Sequence, residues 1–513
     1  MSAHTKRSII TALVLAFGSI CATVCHAACP IQQLATPAPR DPVARVLALE
    51  DTCPNSAPEF VDVLKRIGAR IEPTMVNFVG FHNPDPGAFF IFEIVSSAGA
   101  SPSALVIERG DLLFGHFATA DGDNLVSQAD GLVIELIAWD PDKQFYNFYE
   151  LRDSWAYRGD SKDILDDVRL LHRQRSASVD PFGPTLRCSG CHMNGGLIQK
   201  ELAPPHNDWF TKDRQLPLGA LRPDAFLTGR LADLVDAGEL SSLVQASARR
   251  LADSPGYRGV LAARRMQERL RPLFCPMELN IESDSEPLDD RRPTLRIPSA
   301  FFVDPRLATA EISVQRRHYD AALAKVGSRL PSPDERTDAD HGWLSPVKAH
   351  SDMVITGSLI EQGIIDKEFV VAVLAIDFTN PVFSTIRCGL LKLVPDMGGP
   401  DFVARFKEAL RGATAPGAAE LLNNLSDPSR TAAFHENAAS EFLASCQRQA
   451  MDAESVLDWL RLLAQRRVEV GTSEISQNPM GHILEDPERI VFPSTQPQAS
   501  PGRLALTPAC QVH

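Results

Sequence analysis

Five short runs between residues 70 and 155 constrain the fold of this 513-residue chain more than any other feature. Val76 to Phe81, Phe89 to Val95, Ala104 to Glu108, Leu132 to Trp139 and Phe145 to Leu151 are rich in aromatic and β-branched residues, the pattern of strands. The last two flank Asp140-Pro141-Asp142-Lys143, a turn-forming cluster, so a hairpin is expected there. Ser161 to His172 then places Ile164, Leu165, Val168 and Leu171 on one face of a predicted helix.

From Asp224 to Leu270 the apolar period becomes helical, with Gly238 and Pro255-Gly256 as breaks. A polar, acidic stretch from about Glu282 to Arg292 reads as a linker into a region that mixes helices with one buried strand, Phe369 to Phe378. That region ends in predicted helices at Ala439 to Ala450 and Ala453 to Arg466. The expected class is α+β: a β-rich domain at 54–175, a second region at 176–290 leading into a helical block, and a mixed α/β domain at 291–491. A loosely ordered tail at 492–513 follows.

Residues 1–27 have the parts of a secretory signal: Lys6 and Arg7, an apolar core from Ile9 to Val24, and small residues ending at Ala27 and Ala28. Cleavage near Ala27 and a periplasmic destination are expected. Cys29 after small residues also resembles a lipidation site, which His26 fits poorly. No later apolar run reaches the roughly 20 residues of a membrane span, so no integral span is expected once the signal is removed. Its removal takes away Lys6 and Arg7 and no acid, moving the formal charge from -14 to -16. Such a balance argues against a nucleic-acid partner and favours a basic one. Beyond the signal, Cys29, Cys53, Cys275, Cys388, Cys446 and Cys510 form an even, widely spaced set that predicts up to three disulfides among 15 connectivities, with Cys510 a candidate to tie down the tail.

The remaining two cysteines lie in Cys188-Ser189-Gly190-Cys191-His192. From the chain's ten cysteines and thirteen histidines this pattern arises by chance roughly 0.005 times. Two thiols at that spacing reach the two vinyl groups of one porphyrin, and the adjacent imidazole turns under the ring to ligate iron. A thiol oxidoreductase would place its Cys-x-x-Cys after a strand in a βαβ unit, which the preceding Pro and Gly loop does not provide. A zinc site drawing on Cys188, Cys191, His192 or His206 needs four correctly spaced ligands.

Over Arg187 to Gly196 the chain resembles the c-type cytochromes, in which a Gly-rich turn such as Met193-Asn194-Gly195-Gly196 follows the haem histidine. The resemblance implies one covalently attached haem c, Cys188 and Cys191 as thioether residues and His192 as the proximal iron ligand. A looser resemblance is to the cytochrome P460 family, where a β-rich domain precedes the haem motif. Candidates for the sixth ligand are His206 and Met277, with Met397 a weaker one, and Lys200, Glu201, Trp209 and Phe210 are candidates for shielding the haem edge. The resulting expectation is a periplasmic monohaem cytochrome passing one electron to a redox partner protein. Its alternatives are a haem enzyme with an open distal site, peroxidase-like or P460-like, and a haem-based sensor or interaction protein.

Overall fold

A computed structural model describes residues 29–36, 38–77, 89–99, 105–166, 188, 192–197, 218, 220–235, 237–282, 292–326, 343, 345–471 and 504–513. The signal segment lies outside these residues. The fold is α+β, with a β-rich N-terminal part and a helical C-terminal part.

The aromatic runs build one sheet from β1 (Arg70–Asn77), β2 (Phe89–Ser97), β3 (Ile107–Asp121), β4 (Asn124–Ser127), β5 (Ile134–Asp140), β6 (Phe145–Leu151), β7 (Trp155–Asp160) and the short β8 (Arg222–Pro223). Its main path is β1-β2-β3-β5-β6-β7, all antiparallel, with β4 on β3 and β8 parallel to β4. The expected hairpin is β5–β6, pairing Ile134 with Leu151 through Asp140 with Phe145. Of the strand expected at Ala104 to Glu108, Ile107 and Glu108 open the much longer β3, while Ala104 lies outside the described residues, as do Phe78 to Phe81 of the run that ends β1.

Alternation along the strands feeds two cores, because successive side chains point to opposite faces. On one face Phe114, Leu136, Tyr149 and Trp155 pack with the helices Pro42–Leu47 and Ala57–Arg66. Phe60 meets Phe114 edge-on at 5.3 Å and Trp155 at 5.2 Å, pairs worth about 0.5–1.5 kcal/mol each beyond their buried area. Asp41 caps the first helix and accepts hydrogen bonds from Tyr149 Oη at 2.6 Å and Asn147 Nδ2 at 2.7 Å, tying that helix to β6.

On the other face Leu113, Ile137, Trp139, Tyr146 and Phe148 pack with Leu240, Val244 and Leu251 of the helix Ala237–Asp253. Arg250 locks the helix down: it reaches Asp111 at 2.6 Å and Tyr146 Oη at 2.8 Å, with its guanidinium 4.4 Å over the Trp139 ring. The predicted helical block is present as Ala225–Ala232, Ala237–Asp253, Pro255–Ala262 and Met266–Phe274. Ser254 caps the third of these, so Pro255-Gly256 opens a helix rather than only ending one.

The largest core joins Met266–Phe274 to the C-terminal helices around Phe301, Trp343, Phe369, Phe406 and Trp459. Two small antiparallel pairs accompany it, β9 (Leu279–Glu282) with β12 (Ser345–Lys348) and β10 (Thr294–Ile297) with β11 (Ile312–Gln315). The strand expected at Phe369 to Phe378 is instead the helix Lys367–Leu374, whose N-terminus Asp366 caps through the Phe369 amide at 2.7 Å. Buried on all sides, it shows no amphipathic period, so its apolar run reads equally as a strand. The helices Ala439–Gln449 and Ala453–Gly471 lie where expected.

Three disulfides join Cys29 to Cys53, Cys275 to Cys388 and Cys446 to Cys510. Cys29 is therefore bonded to sulfur, not to a lipid. Within the tail expected to be loose, residues 504–513 are pinned: Cys510 is buried, its carbonyl accepts from Trp459 Nε1 at 3.1 Å, and Leu506 joins the core. No helix among the described residues is long and apolar enough to cross a membrane.

Candidate functional site

The motif turn lies on the second face of the sheet. The His192 amide donates to the Cys188 carbonyl at 2.8 Å, and the Gly195 amide donates to the His192 carbonyl at 2.7 Å. His192 Nδ1 lies 2.7 Å from the Gly196 carbonyl oxygen. A carbonyl only accepts, so Nδ1 carries the proton and the lone pair is on Nε2. The imidazole ring rests against Phe148 of β6, 5.1 Å between centroids, while Met193 and Leu197 are buried in the same apolar cluster and Cys188 packs against it.

The two glycines are what permit this seat. Gly195 has φ +70°, and a Cβ there would stand 2.6 Å from the Ser161 carbonyl oxygen and 3.1 Å from the Ser161 Cα. Backbone so placed cannot yield, so the turn requires glycine both for its conformation and for the approach to residue 161.

Behind the turn is a buried polar network that sequence reasoning missed. The Asn194 amide donates to Glu278 Oε1 at 2.9 Å, and Asn194 Nδ2 donates to Ser351 Oγ at 3.0 Å and Asp352 Oδ1 at 2.9 Å. Tyr257 Oη donates to the Asn194 carbonyl at 2.7 Å, and Ser351 Oγ donates to Glu278 Oε2. Burial pushes the Glu278 carboxyl up to about 7, with the Asp352 charge adding to it against the bonds from Ser351 and Asn194. Burial likewise raises Asp352 to about 6, despite its bonds from Asn194 and the Met277 and Glu278 amides. The only cue in the sequence was Asn194 beside the motif. Glu278 lies 84 residues and Asp352 158 residues from it, too far for spacing to pair them.

A folded state that holds these protons more tightly than the unfolded chain is most stable below the unfolded carboxyl range, and loses that advantage as pH rises from about 4 to about 7. Tyr257 and Lys348 face the pair, and Arg264 faces Tyr257 in turn. Urea unfolding of Glu278→Gln beside the unsubstituted protein is expected to show the latter losing on the order of 2 kcal/mol relative to the variant between pH 5 and 7. Parallel pH profiles would contradict this.

The sequence-derived candidates fare differently. Cys188 and His192 are brought together with the apolar cluster; Ser189, Gly190 and Cys191 lie outside the described residues, as do Lys200, Glu201, His206, Trp209 and Phe210. Met277 is buried in the same cluster as Met193, with its amide donating to Asp352 Oδ2 at 2.6 Å. Met397 is 76% exposed. Among the described residues no three His, Cys, Asp or Glu side chains converge to hold a metal ion. A porphyrin iron asks only axial ligands of the protein, and an imidazole whose Nδ1 is held by the Gly196 carbonyl and whose ring rests on Phe148 fits that demand.

The chain matches no protein-family model, no curated protein and no solved structure.

Proposed function

We propose that the chain is an exported, periplasmic monohaem c-type cytochrome that transfers single electrons to and from a protein partner. The observation carrying this reading is the bond from His192 Nδ1 to the Gly196 carbonyl, beside the bond from the His192 amide to the Cys188 carbonyl. Such a bond fixes the tautomer, aims the ring and raises the basicity of the ligating nitrogen. Cys188 and Cys191 would supply the two thioether sulfurs. When bound, the haem supplies an iron that gains and loses one electron. Phe148, Met193 and Leu197 exclude water from the side where His192 sits, and Met277, held by Asp352, is the candidate for the sixth position. The three disulfides suit the oxidising compartment to which the signal at 1–27 directs the chain.

The test is the optical spectrum of protein matured in a periplasm with cytochrome assembly active, oxidised and reduced, with and without carbon monoxide. The expected result is haem that stays on the chain under denaturing conditions, low-spin in both states and inert to carbon monoxide, with none in Cys188→Ala, Cys191→Ala. Wild-type protein without covalent haem overturns the reading. High-spin, carbon monoxide-binding haem keeps the attachment but moves the function to a haem enzyme or sensor. Met277→Ala is expected to convert the low-spin spectrum to high-spin; an unchanged spectrum eliminates Met277 and leaves His206.

A further inference from the structure

A cavity of about 340 Å³ opens beside the buried network, walled by Asn194 and Met277 at one side and by the helices Pro255–Ala262 and Met266–Phe274. Its volume is at the lower end for sites that take small organic molecules. Neither Cys188 nor His192 lines it. Leu165, Leu261, Ile355 and Leu391 give it an apolar wall, while among the described residues Arg264, Arg265, Arg269, Arg271 and Lys392 bring five cations to it against one lining acid, Glu268. In a chain of net charge -14 that is a local reversal of sign.

The cations are unequally matched. Arg264 is held by Asp166 at 2.6 Å, and Arg265 by Glu268 at 3.2 Å and Asp396 at 3.5 Å. Arg269 has no carboxylate partner among the described residues. Its Nη1 meets only the thioether Sδ of Met266 at 3.5 Å, a weak acceptor, and its buried Nε has no hydrogen-bond partner. Burial alone lowers its pKa. Removing a guanidinium from water without a counter-charge is unfavourable, and an anion offering two oxygens to its planar fork restores the balance.

We propose that this cavity is a binding site for a small organic anion, an apolar body carrying one carboxylate, sulfonate or similar head, with the head on Arg269 and Lys392 and the body against Leu261 and Ile355. The lining includes neither Cys188 nor His192, while Met277, the candidate sixth ligand of the proposed haem, stands in its wall.

The test is equilibrium dialysis of the full chain with 8-anilinonaphthalene-1-sulfonate and, separately, its uncharged counterpart N-phenyl-1-naphthylamine. The expected result is saturable one-to-one binding of the sulfonate, at least tenfold tighter than the neutral ring system. Arg269→Gln, the exposed-side-chain variant Lys392→Ala, and the cavity-filling Leu261→Trp are each expected to weaken it several-fold or more, with thermal unfolding showing that they are folded. Equal affinity for the two probes, or sulfonate binding that none of the folded variants weakens, overturns the proposal. So does binding confined to Cys188→Ala, Cys191→Ala, which would make the cavity the porphyrin's own space.

Discussion

Asp304→Ala is expected to lower the free energy of unfolding by about 3–5 kcal/mol, the range for breaking a buried ion pair from one side. Asp304 is 2% exposed and accepts from Lys348 Nζ at 3.0 Å and from Arg306 Nε at 2.9 Å and Nη2 at 2.8 Å. Burial by itself would raise this carboxyl, but Lys348 and Arg306 hold it far below the ordinary carboxylate range. Lys348 is itself buried, and burial pushes its ammonium down to about 7. Without Asp304 the folded state must keep that charge unpaired or release its proton. The variant should therefore be weakest at acidic pH and regain part of its stability above neutrality, because its unfolded lysine still binds a proton up to about pH 10. Asp304→Ala, Lys348→Met removes both partners and should recover most of the loss. Denaturant titrations of the three proteins decide it, and a single-variant loss below about 1 kcal/mol would sink the idea.

Cys275→Ser, Cys388→Ser is expected to cost up to about 5 kcal/mol, the loop-closure value for a sequence separation of 113 residues. Cys275 is fully buried at the end of the helix Met266–Phe274, and Cys388 lies in the helix Thr385–Leu390. The bond ties residues that follow the Cys188 to His192 segment to the C-terminal core. Hydrogen exchange should show the loss concentrated in Met266–Phe274 and Thr385–Leu390. Unchanged protection there, with unfolding free energy within about 1 kcal/mol of the parent, would assign the disulfide no stabilising role.

The sheet was legible because its strands are rich in aromatic and β-branched residues and because Asp140-Pro141-Asp142-Lys143 marks the turn between β5 and β6, so that hairpin could be read directly. The helix Lys367–Leu374 was not, since a fully buried run has no polar face to set its period; the cap at Asp366 was the one signal that favoured a helix. At the candidate site, the motif gave Cys188 and His192, and the glycines after it gave the turn. Glu278, Ser351 and Asp352 were invisible because only the tertiary fold brings them to Asn194. The cavity was invisible for the same reason, as four of its five cations come from one stretch but Lys392 and the apolar wall come from elsewhere in the chain.

The disulfide pattern has a consequence for how the chain is made. Apart from the two motif thiols, every cysteine after residue 28 pairs with the next one along: Cys29 with Cys53, Cys275 with Cys388, Cys446 with Cys510. A chain threaded N-terminus first into an oxidising space and oxidised in order of arrival reaches these partners without reshuffling. Cys188 and Cys191 emerge after Cys53 has been consumed and before Cys275 arrives. Under the proposed export and haem attachment, this order would give the motif thiols an interval in which no other cysteine awaits a partner, the condition under which a haem-attachment apparatus meets the least competition.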